Sequence, residues 1–139
     1  MSEPPAVIVH GLADAERALA PGRPVTLLSA PGAALYLGVA AWRAIVTRAR
    51  AAHPAVPAPD ILDCADATGY AFSALRLGLH DLVLWPPAPG RAACAAAAAA
   101  LGARLREAPP PALDLADRKA ARTLAAWLGG ADDSPLGLG

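Results

Sequence analysis

Short apolar runs alternate with amphipathic stretches along this chain, and the alternation sets the first expectation. "AVIVH" (6–10) is a β-branched run between Pro5 and Gly11, the pattern of a buried strand. "LADAERALA" (12–20) places Leu12, Ala15 and Leu19 on one side and Asp14 near its start, which predicts a short helix stopped by Pro21-Gly22. "PVTLLSA" (24–30) predicts a second strand. After the loop "APGAA", residues 35–53 carry Leu35, Val39, Trp42, Ile45, Val46 and Ala49 at three- and four-residue spacing. Arg43, Thr47, Arg48 and Arg50 occupy the polar side of this helix, and Pro54 and Pro57 end it.

"APDILDCAD" (58–66) predicts the third strand. Asp66 reads as the N-cap of "ATGYAFSALRLG", whose apolar side is Phe72, Leu75 and Leu79 and whose stop is Gly78. "DLVLW" (81–85) is the fourth strand, residues 91–101 a helix stopped by Gly102, and "ARLRE" (103–107) a candidate fifth strand. Residues 113–128 predict a last amphipathic helix with Asp114 or Asp117 at its positive end. Residues 129–139 have turn and linker composition and are expected as a flexible tail after one domain spanning 1–128.

Strands alternating with helices predict an α/β fold, a parallel sheet of four or five strands covered on both faces. Two architectures satisfy this: a flavodoxin-like three-layer sheet, or a (βα)4 half-barrel-like one. Pairing of 103–107 as a fifth strand favours the open sheet.

The segment 48–87, with "AAHPAVP" before a strand and "ALRLGLHDLVLWPP" after a helix, resembles the later half of a response-regulator receiver domain. That resemblance implies a flavodoxin-like fold. The family's chemical positions are occupied differently here. Ser29 or a neighbour stands where the acceptor aspartate belongs, Cys64 or Ala65 where a switch Ser or Thr belongs, and Trp85 where a Lys precedes a Pro. The same stretch is similar to later units of small (βα) aldolase-type barrels. Imine-forming members need a lysine at a strand end, because its amine attacks a carbonyl. The chain's lysine, Lys119, falls in the predicted last helix.

Composition narrows the picture. Apolar residues make up 55% of the 139, but much of this is alanine and aromatics are only 4%, so the core rests on Leu, Val, Ile and three Trp. Twelve basic and twelve acidic residues cancel, which argues against a dedicated nucleic-acid or membrane-surface binder. Cys64 and Cys94 form no CxxC and read as free thiols of a reducing compartment. "MSEPPAVIVH" lacks a signal-peptide pattern, and the apolar run 92–101 is well short of the roughly 20 residues a membrane span needs. The expectation is a cytoplasmic protein.

In parallel α/β folds, ligands sit at the carboxyl ends of the strands. The residues expected there define the candidate site. His10 suits a general base or ligand, and Ser29 with the Gly32 loop a hydroxyl and amides for an anion. Asp63 and Asp66 supply carboxylates, Cys64 a thiol and Trp85 a stacking ring. Each has a plainer reading too: Asp66 as a cap, Cys64 as a core residue, Trp85 as packing. His10, His53 and His80 lie in separate units without ligand spacing, so no metal is expected. Nucleotide-loop patterns are absent, so no cofactor is expected. The functional expectation is a small scaffold or interaction module, self-associating as a homodimer or meeting a protein partner, without strong catalytic machinery. The alternative is a small-molecule or anion-binding protein or enzyme with a strand-tip site around His10, Ser29 and Asp63.

Overall fold

The structure is a computed structural model, and it describes residues 3–129. The expected tail, beyond Gly129 itself, lies outside the described residues. The apolar runs form strands β1 (Ala6–Val9), β2 (Thr26–Ser29), β3 (Asp60–Asp63), β4 (Asp81–Val83), β5 (Arg104–Arg106) and β6 (Ala112–Asp114). Between and after them come helices α1 (Leu12–Leu19), α2 (Ala33–Tyr36), α3 (Val39–Ala52), α4 (Thr68–Arg76), α5 (Arg91–Ala100), α6 (Arg118–Ala121) and α7 (Leu124–Trp127). All strands are parallel, in the order β5-β4-β3-β2-β1-β6. The chain is therefore an α/β fold with a parallel sheet of six strands rather than four or five.

The extra strand corrects the expected helix over 113–128. Leu113 and Leu115 are buried, with Asp114 less so between them, a period of two that suits a strand. Pro109, Pro110 and Pro111 precede it and hold the chain extended. Helical structure begins only at Asp117, whose side chain accepts the amides of Lys119 and Ala120. From there the chain forms two single turns, α6 and α7. The helix expected over 35–53 is also divided, because Gly38 between α2 and α3 adopts φ 100, a conformation open to glycine at little cost.

Asp66 is not the cap of α4. Ala67 holds that position without a side-chain bond, and Asp66 is exposed. The turn is built instead by Asp63, whose Oδ1 accepts the Ala65 amide, and by the Cys64 carbonyl, which accepts the Ala67 amide. The other end of α4 closes as expected. Gly78, at φ 84, donates to the Leu75 carbonyl, and Leu79 donates to that of Ala74.

Every helix buries side chains into one apolar cluster, together with Val7, Val9, Leu27, Leu62, Leu82 and Leu84. Trp42 is the largest residue sealed inside it. The second cluster holds strand residues alone: Ala6, Leu28, Ile61 and Val83, joined by Ile8 and Ala112. The expected helical cover on both faces thus falls on one face. From β1 to β5 each new strand adds on the same side of the last, so successive right-handed crossovers all land on the same face.

The sheet is open, with β5 and β6 at its edges. Only residues 107–111 join these edges. Across a flat sheet they would stand about 24 Å apart, while the connecting chain reaches about 22 Å at full extension. The edges must therefore curl toward each other, leaving the helix-free face concave. An ion pair crosses that face. Arg106 in β5 binds Asp81 through Nε at 2.7 Å and Glu3, just ahead of β1, at 2.6 Å. No described helix is long and apolar enough to cross a membrane.

Candidate functional site

Parallel strands bring all their carboxyl ends to one side. The order of strands turns at β1, which has β2 on one flank and β6 on the other. His10 leaves β1 at this point and Asp114 ends β6. His10 Nε2 lies 2.6 Å from Asp114 Oδ1. The His10 amide donates to Asp14 in the first turn of α1 at 2.9 Å. Asp114 also accepts the Ala116 amide at 2.9 Å. Partial burial opposes ionisation of Asp114, but the Ala116 amide and His10 together outweigh it and hold the carboxyl below its ordinary value.

An ionised carboxylate only accepts hydrogen bonds. The hydrogen between the pair therefore sits on His10 Nε2, and in the neutral ring Nδ1 presents the lone pair, as a general base requires. Beside the ring lies a hollow of about 50 Å³ lined by Val9, Ala30, Ala33, Tyr36 and Leu37. That is room for a water molecule, not for a metabolite.

The next tips form a second, contiguous group. The Ser29 hydroxyl donates to the neighbouring Ala30 carbonyl at 3.1 Å and accepts the Asp63 amide at 2.9 Å, so the hydroxyl is satisfied and the second bond joins β2 to β3. Asp63 is 1% exposed. Its Oδ2 accepts the Trp85 indole N–H at 3.2 Å, and its Oδ1 the Ala65 amide at 2.8 Å. Among the described residues no cation pairs with it. Trp85 donates its amide to the Ala65 carbonyl and keeps 40% of its surface in solvent. Gly32, at φ 67, opens α2, and a Cβ there would stand 3.8 Å from that of Ala65. The β2 and β3 loops therefore touch.

Cys64 and Asp66 lie outside this group. Strand alternation turns Cys64 to the opposite face, into the helical core, where burial first, then Asp63 and Cys94, push its thiol up to about 12. Asp66 stands exposed on the β3–α4 turn.

Three participants lie outside the residues that the sequence singles out for a site. Asp114 falls within the expected last helix, and only the alternation Ala112-Leu113-Asp114-Leu115 marks it as a strand end. Asp14 carries a helix-start signal alone, and nothing in the sequence ties it to His10. Tyr36 carries no signal. Tyr36 is 69% exposed, Tyr70 44% and Trp85 40%, and all three lie on segments leaving the carboxyl ends of β2, β3 and β4. Three of the chain's six aromatic residues thus meet solvent on this rim. Among the described residues no group of three His, Cys, Asp or Glu could hold a metal ion. No protein-family model matches the chain, and no curated protein matches it.

Proposed function

We propose that the chain is an α/β interaction module that self-associates through the rim at the carboxyl ends of its strands. The observation that carries this reading is the exposure of Tyr36, Tyr70 and Trp85 on one rim of an aromatic-poor chain. Tyr and Trp give large contact areas with a polar tip, which is why interfaces favour them. Leu35, 44% exposed beside Tyr36, extends the apolar surface. The polar tip residues Ser29 and Asp63 are spent on holding the loops together, which suits a scaffold for such a surface. Light scattering at increasing protein concentration tests the reading. The expected mass is twice that of the chain, and a Tyr36→Ser, Trp85→Ser variant should return the monomer. A wild-type mass that stays monomeric throughout refutes it.

The His10–Asp114 pair favours a second reading, a small-molecule or anion-binding protein or enzyme in which His10 acts as base or ligand at the rim around Ser29 and Asp63. A thermal-shift screen with small acids and phosphorylated sugars checks it. Stabilisation of the wild type that disappears in His10→Ala supports this reading, and stabilisation by none of them sinks it.

A further inference from the structure

At the amino ends of β3 and β4, opposite the rim, a cleft of about 360 Å³ opens against α3. Its polar lining is Arg43, Thr47, Arg50, Asp60 and His80. Arg43, Thr47 and Arg50 succeed one another on one side of α3 at four- and three-residue spacing, and His80 sits in the turn leading into β4. Val46, Leu77 and Leu79 supply an apolar wall. A shallower hollow continues along α3 past Ala44 and Arg48.

The donors of this cleft outnumber its acceptors. Asp60, the lone carboxylate of the lining, is used up: one oxygen accepts Arg50 at 2.6 Å and the other the Trp42 indole at 3.2 Å. Arg50 is held in place by that bond and by a second from its Nε to the Ala58 carbonyl at 2.7 Å. Its remaining terminal nitrogen is left over. Among the described residues the Arg43 guanidinium, the Thr47 hydroxyl and the His80 ring have no protein partner. Two guanidinium groups, one of them paired with Asp60, an imidazole and a hydroxyl therefore line one concavity, and among the described residues of its lining no further anion meets them. A fixed arginine and a second one two turns earlier, both lining one cleft, can take an oxyanion between them through charge-assisted bonds. The cleft has the volume of a metabolite site.

We propose that this cleft binds a phosphate monoester, its oxyanion between Arg43 and Arg50 and its organic body along Leu77. The site is separate from the rim and does not depend on it.

Calorimetric titration of the full chain with phenyl phosphate, inorganic phosphate and phenol tests the proposal. Phenyl phosphate is expected to bind, inorganic phosphate more weakly, and phenol not measurably. Arg43 is exposed and holds nothing in the fold, so Arg43→Ala should fold normally and weaken phenyl phosphate by about tenfold or more. His80→Ala provides an independent second loss. The Tyr36→Ser, Trp85→Ser variant should bind phenyl phosphate as the wild type does, which separates this site from the rim. Absence of phenyl phosphate binding by the wild type overturns the proposal. So does equal binding of phenol, or unchanged affinity in both Arg43→Ala and His80→Ala.

Discussion

Arg106 shows how much one residue carries in this molecule. Its side chain is 8% exposed and joins β5 to β4 through Asp81 and to the segment before β1 through Glu3. Removing it leaves two carboxylates facing a concave surface without their cation. Arg106→Met is expected to cost about 3 kcal/mol, the lower end for a broken buried pair because both carboxylates retain some water. Urea denaturation measures it. The Arg106 hydrogen bond holds the Glu3 carboxyl below its ordinary 4.5 against the opposing effect of burial, with the charges of Arg106 and Arg104 helping. A lowered folded pKa means stability that is present above the ordinary value and lost as pH falls through the folded one. Asp114 contributes with the same sign from an ordinary 3.8. Wild-type stability should therefore fall on acidification below about pH 4.5, and the fall should be shallower in Arg106→Met, where Glu3 has lost its main partner. Cys64 and Cys94 make a simpler case. Burial raises both thiols, that of Cys64 to about 12. A thiol reagent at neutral pH should leave the native protein unlabelled and label both cysteines once it is denatured. The core position of Cys64 is readable in the sequence, since "ILDC" alternates and puts Cys64 with Leu62 rather than with Asp63.

At the scale of elements, glycines separate backbone cost from packing. Gly78 and Gly69 both have open space where a Cβ would stand, but Gly78 sits at φ 84 and Gly69 near the start of α4 does not share that conformation. Gly78→Ala should destabilise by about 1 kcal/mol, and Gly69→Ala should stabilise by about 0.5 kcal/mol. Melting temperatures of the two variants, moving in opposite directions, check both. Gly78 and the five earlier strands are legible in the sequence because each signal is local: an apolar run of strand length, a stop, a helical period. β6 is not, because three residues ahead of a basic, Ala-rich stretch read as the first turn of the next helix. Asp66 misleads for a related reason. A residue type that favours caps lies at a helix start, but the side chain of Asp63 and the Cys64 carbonyl set the turn one residue later.

Over the whole molecule, the helices share one cluster with the sheet, and the two clusters lie on opposite faces of the same strands. Unfolding should then be a single cooperative transition. The three tryptophans report on different places: Trp42 in the core, Trp85 at the carboxyl ends, and Trp127 at the amino end, where its indole donates to the Ala6 carbonyl at 2.7 Å. Fluorescence and far-ultraviolet circular dichroism should give coincident curves in urea. Separate transitions would mean that the closing segment around β6 and α7 melts independently. By itself the sequence determined the α/β class, the first five strands and most helix boundaries, because apolar periodicity and turn residues act over a few positions. Only the tertiary structure decided the strand order, the single helical face and the curl of the sheet. It alone placed Asp114 against His10, 104 positions earlier, and turned Arg43 and Arg50 toward His80. Those placements come from pairing β6 with β1 and from packing α3 over β3, choices made by burial across the whole chain that no short window of residues records.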